Sequence, residues 1–96
     1  MEPTVDNIFF DRQVARATQG DANAAFDLGV AYSTGTRGVT VDLTCAHQWF
    51  NLAAAWGHED APGARSDVAE DMTAREIATA QKLARGILAQ SQRRAA

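Results

Sequence analysis

The residues able to do chemistry gather between Cys45 and Asp60: Cys45, His47, His58, Glu59 and Asp60. A thiol beside an imidazole suggests a nucleophile with its base, and histidines among carboxylates suggest a metal site. Both chemistries need side chains that converge on one point. Cys45 and His47 stand two apart, which on a helix aims them at divergent faces. His47 and His58 stand eleven apart, a separation of ~16 Å in rise even on an unbroken helix, and Gly57 intervenes. No spacing of metal ligands is present. Gly35 and Gly38 lack the GxxxxGK spacing of a phosphate loop. Asp21, Asp42 and Glu76 read as helix caps, and Glu70 with Asp71 as a solvated helix end. The expectation is a protein that is not an enzyme, with no catalytic residue, no cofactor and no metal.

The elements that would position these residues are helices. The 96 residues suit one domain. At 46% apolar and 22% charged, the composition is that of a globular chain. Much of the apolar count is alanine, which favours helix and close helix contact but buries little area per residue. Proline is scarce and the β-branched residues are scattered. A net charge of −3 is too small to steer partners strongly. The one basic cluster in the sequence, Arg93 and Arg94, reads as a solvated terminus, so no nucleic acid is expected. No apolar run approaches the ~18 residues of a membrane span, the opening MEPTVDNIFFDR does not read as a signal peptide, and a single Cys45 excludes an internal disulfide. These features favour a cytoplasmic protein that engages no membrane.

Five helices are expected. The first spans 4–19, capped by Thr4 or Asp6, with Phe10, Val14 and Ala17 on one face, widened by Ile8 and Phe9, and Gly20 as its stop. Asp21 caps the second, 22–33, where Ala25, Leu28, Gly29 and Tyr32 share a face. Gly29 in mid-helix costs about 1 kcal/mol relative to alanine, which points to close contact with a neighbouring helix. Val39 and Val41 in the following turn are expected to plug the gap between helices. Asp42 caps the third, 43–56, which carries the stripe Ala46, Trp49, Phe50, Ala53, Ala54 and Gly57 and predicts a close crossing at its last three members. Asp60 caps a short fourth helix, 61–71, with Pro62 in its first turn and Ala64, Val68 and Met72 on its apolar side. Thr73 and Glu76 form a capping box, with Met72 and Ile77 as a hydrophobic staple, for a last helix that frays after about Ser91. Ile77, Ala80, Ala84, Ile87 and Leu88 line its inner face, with Leu83 beside them.

From Gly20 to Gly57 the chain resembles the Sel-one-like repeat, a helix–turn–helix repeat related to the tetratricopeptide family. The matching residues are Ala24, Leu28, Gly29 and Tyr32, then Gly35, Gly38, Val39 and Asp42, then Ala46, Trp49, Phe50, Ala53, Ala54 and Gly57. The segment from Met72 to Ala84 is similar to the closing helix of many bacterial members. The turn at Thr36–Arg37 is one residue longer than the usual pattern, and Arg12, Gln13 and Arg16 stand where aromatic and small residues are expected. The resemblance implies an all-α fold of antiparallel helix–turn–helix units, a short α-solenoid. One complete repeat, 21–57, would lie between an N-terminal capping helix, 4–19, and a degenerate closing pair, 60–92. It implies an adaptor that binds another protein or peptide, without catalysis.

A lone repeat has little concave surface, because stacked repeats generally need three units or more to bury a continuous core. A homodimer is therefore the alternative, a self-association module with no separate partner. Trp49 and Phe50 fit the core stripe. Trp56 falls off it and, with Tyr32, is the candidate protein-binding residue, since exposed Trp is enriched at binding hot spots. The competing reading of Trp56 is packing against the next helix.

Overall fold

In the computed structural model the backbone is described over 5–95 and the side chains over 8–93. Its five helices are α1 (Val5–Ala17), α2 (Ala22–Thr34), α3 (Leu43–Ala55), α4 (Ala61–Ala69) and α5 (Ala74–Ala95). The expected caps Thr4 and Asp6 lie outside the described side chains. No strand occurs among the described residues, so Val39 and Val41 connect helices.

The helix ends follow from local chemistry. The Asp21 carboxylate accepts the Ala24 N–H at 3.1 Å and the Asp42 carboxylate accepts the Cys45 N–H at 3.0 Å, each satisfying an orphan donor of a first turn. Thr73 and Glu76 form the reciprocal box, Thr73 N–H to Glu76 Oε1 at 2.8 Å and Glu76 N–H to Thr73 Oγ1 at 3.1 Å. At the end of α3, the His58 N–H reaches the Ala53 carbonyl and the Gly57 N–H the Ala54 carbonyl, with Gly57 at φ +96°. This paired closure requires a left-handed residue, which glycine supplies without a Cβ clash.

Four expectations change, that for Val41 among them. Asp60 begins α4 but its side chain makes no cap bond. Its backbone N–H instead donates to His58 Nδ1 at 3.1 Å, so the histidine takes the orphan group. Gly57 makes no close crossing, because a Cβ added there would meet nothing within 4 Å; its role is the turn. The last helix continues to Ala95, past the expected fraying point.

The centre of the molecule is α3, which packs against α2, α4 and α5, while α1 packs on α2. α2 and α3 run antiparallel. The Asp42 N–H meets the Tyr32 carbonyl at one end of the pair, and Phe26 stacks on His58 at the other, ring centroids 4.0 Å apart. The core joins Ala17, Ala24, Ala25, Leu28, Trp49, Leu52 and Ala53 with Ala61 of α4 and Ala84 of α5. Because α3 is covered on several sides, Leu52 and His47 are buried along with the stripe Ala46, Trp49, Phe50 and Ala53. The close contact expected at Gly29 is with the Phe50 ring, 2.5 Å from where a Cβ would stand. A Cα radius of gyration of 13.0 Å is that of a folded chain of this length. Val41, expected as a plug, is 53% exposed; one of its methyls covers Gly35 and the rest faces solvent.

Candidate interaction cleft

The residues that opened the sequence reading do not converge. Cys45 is half-buried near the start of α3, and burial, then a hydrogen bond to Asp42 and its charge, push the thiol up to about 11. It is therefore a neutral thiol at physiological pH, a poor nucleophile. His47 is 3% exposed and its Nδ1 has no hydrogen-bond partner. Burial, then the positive charge of Arg65, lower its pKa, so the ring sits neutral in the core. Arg65 in turn donates from Nη1 to Asn51 Oδ1 at 2.7 Å, tying α4 to α3. His58 is occupied as the stacking partner of Phe26 and the acceptor for Asp60. Among the described residues, no three of His, Cys, Asp and Glu are grouped so as to hold a metal ion.

Tyr32 and Trp56 do not form one surface. Tyr32 lies where α2 meets the start of α3, edge-on to Phe10 with ring centroids 6.1 Å apart. Burial, then Cys45 and Asp42, push its phenol above the ordinary value. Trp56 caps the far end of α3, a helix rise of ~16 Å from Cys45. Both rings are half-buried and pack against the core.

What the fold does assemble is a cleft between α1, α2 and the turn after α2. On α1, Ile8, Arg12 and Arg16 recur at i, i+4 and i+8, with Phe9 and Gln13 beside them, a spacing that puts them on one side. From α2 come Asp27, Val30 and Ala31 at i, i+3 and i+4. The turn adds Thr36 and Arg37. Two adjoining hollows result, of about 440 Å³ and 180 Å³, sharing Phe9, Asp27 and Arg37. Gln13, 7% exposed, fixes the α1–α2 spacing by donating from Nε2 to Asp27 Oδ2 at 2.7 Å. Arg37 stands over the Phe9 ring, its guanidinium carbon 4.2 Å from the centroid, a cation–π contact. It does so from a left-handed backbone, φ +59°, a conformation that costs a non-glycine residue about 1 kcal/mol or more.

Sequence reasoning saw a basic cluster only at Arg93 and Arg94. Arg12 and Arg16 share α1, but the whole of α2 separates them from Arg37 in the chain, and the three line one cleft only through the α1–α2 packing. The available signal was the run of mismatches to the repeat pattern, Arg12, Gln13, Arg16 and Thr36–Arg37. All of these residues line this cleft.

No helix among the described residues is long and apolar enough to cross a membrane. Compared with protein-family models, with curated proteins and with solved structures, the chain matches none of them.

Proposed function

We propose that this chain is a non-catalytic protein-interaction module of the Sel-one-like repeat type, an adaptor acting in the cytoplasm on another protein or peptide. The observation that carries the reading is the cleft: Ile8, Phe9 and Val30 line it together with three arginines, one of them, Arg37, on a left-handed backbone. Concave, mostly apolar surfaces with a few fixed polar groups are where proteins take ligands. The hairpin of α2 and α3, with its glycine turn and close Gly29–Phe50 contact, supports the repeat assignment. The titratable groups of α3 support a non-catalytic role, since the Cys45 thiol stays protonated and His47, 3% exposed, is out of reach of a substrate.

Affinity capture from the native cell with wild type, the Arg12→Gln/Arg16→Gln/Arg37→Gln variant and Trp56→Ala tests this. A protein retained by wild type and Trp56→Ala but lost by the arginine variant is expected. Equal recovery by all three sinks the cleft as the binding surface.

The second reading, self-association, rests on α5. Leu83 is 46% exposed there, and Gly86 beside it is open. Sedimentation as a monomer at high micromolar concentration excludes it.

A further inference from the structure

We infer that the α1–α2 cleft binds an acidic peptide segment in which carboxylates neighbour bulky apolar side chains. The inference rests on the interaction-module reading and specifies its ligand. Arg12 and Arg16 stand one turn apart on the same side of α1, and Arg37 faces them from the turn. Each guanidinium is a rigid fork matched to a carboxylate's two oxygens. All three residues are exposed and line the cleft beside the apolar side chains of Ile8, Phe9 and Val30. Ile8 is 41% exposed and Val30 39%, apolar area that an incoming side chain would cover, at roughly 25 cal/mol per Å².

Asp27 sets the sign and the limit of the site. It lies in both hollows, so the cleft carries three positive charges and one negative. Its Oδ2 already accepts from Gln13, which holds the carboxylate at the cleft wall. A fixed carboxylate there repels a dense polyanion and offers its other oxygen to a peptide N–H. A peptide whose carboxylate adjoins an apolar side chain meets the arginines with the first, the apolar lining with the second and Asp27 with a backbone N–H. Three arginines take more than one carboxylate, which acidic side chains along a segment supply and a single C-terminus does not.

The test uses the intact chain, isotopically labelled, and short peptides read by amide shift changes and titrated affinity. The first probe alternates Glu and Leu and is blocked at both ends. Expected are saturable shifts concentrated at 8–16, 27–31 and 36–37, an affinity that weakens with added salt, and at least tenfold weaker binding of the Gln-for-Glu peptide. A Gln–Leu peptide with a free C-terminal carboxylate should also bind at least tenfold more weakly; equal binding by it overturns the acidic-segment assignment. Arg12→Gln/Arg16→Gln, which leaves the turn intact, and the triple variant with Arg37→Gln should each lose tenfold or more. Their helical circular dichroism should be unchanged. Arg75→Gln/Lys82→Gln on α5 should bind as wild type.

The inference is overturned if the Gln and Glu peptides bind equally, if the double variant keeps wild-type affinity, or if a phosphoserine peptide or inorganic phosphate binds tenfold more tightly than the Glu–Leu probe. A neutral peptide seated on the same residues rejects the carboxylate while leaving the interaction module standing. Silence from every peptide together with an empty capture rejects both.

Discussion

Substituting Gly29 by alanine sets two effects against each other, and the structure decides which wins. Alanine in a helix interior is worth about 1 kcal/mol over glycine. At Gly29, however, the new Cβ would lie 2.5 Å from Cδ1 and Cε1 of Phe50 and 2.9 Å from Cζ. To restore an ordinary contact of ~3.5 Å, the ring would have to retreat by about 1 Å. It has little room to do so, because Phe50 is buried and its other neighbour, Phe26, is 5.3 Å away between ring centroids. Overpacking of this kind costs ~1–3 kcal/mol, so Gly29→Ala should be destabilised by up to about 2 kcal/mol after the propensity gain. For a domain this size each kcal/mol lowers the Tm by about 4–8 °C. Gly86→Ala is the internal control: it sits in a helix with nothing within 4 Å of its added Cβ. It should gain about 0.5–1 kcal/mol. Urea denaturation of both variants and of Gly29→Ala/Phe50→Leu completes the comparison, and the smaller side chain should recover part of the loss. If Gly29→Ala is stabilised as much as Gly86→Ala, the close approach of α2 to Phe50 does not exist and the reasoning fails.

Two further predictions follow from the titratable groups of α3. His47 is held neutral in the fold with a lowered pKa, whereas the unfolded chain protonates it near the ordinary ~6.5. The unfolded state therefore binds more protons below that value, and stability should fall as pH drops from about 7 toward the folded-state pKa. His47→Leu should flatten that slope in urea midpoints measured between pH 7 and pH 5; an unchanged slope assigns the pH dependence elsewhere. Cys45, with its thiol pushed up to about 11, should react with iodoacetamide at pH 7.5 far more slowly than a free cysteine and approach that rate on unfolding, as mass spectrometry would show. Labelling of the folded chain at the free-cysteine rate contradicts the assignment.

Most of the helical frame was legible because it is written in local chemistry. Asp21, Asp42 and the Thr73–Glu76 box act where their side chains meet a first turn, and Gly20, Gly35 and Gly57 hold the positive φ that ends a helix. Even the contact at Gly29 was readable, since a glycine inside a helix needs a reason. What escaped was set by other elements. A single stripe describes a helix buried on one side, but α3 is enclosed by α2, α4 and α5, so Leu52 and His47 are buried outside the stripe. Gln13 counted only as a mismatch to the repeat pattern and is buried, its amide bonded to Asp27 of α2. Asp60 had the right type and position for a cap, but His58 bonds its backbone N–H, a competition invisible without the turn geometry. The cleft was the least legible feature, since its arginines come from α1 and from a turn whose extra residue counted only as a mismatch.

The alanines that bring α5 close to α3 also govern how the molecule comes apart. Ala80 and Ala84 are the fully buried side chains of α5, while Ile77, Ile87 and Leu88 are half-buried. Each alanine removes little apolar area from water, so the α5 contact leans on the partly buried Ile77, Ile87 and Leu88, whereas α2 and α3 hold each other through the buried Leu28, Trp49, Phe50 and Leu52. Local opening should therefore begin at α5, and amide exchange should be faster there than in the α2–α3 hairpin.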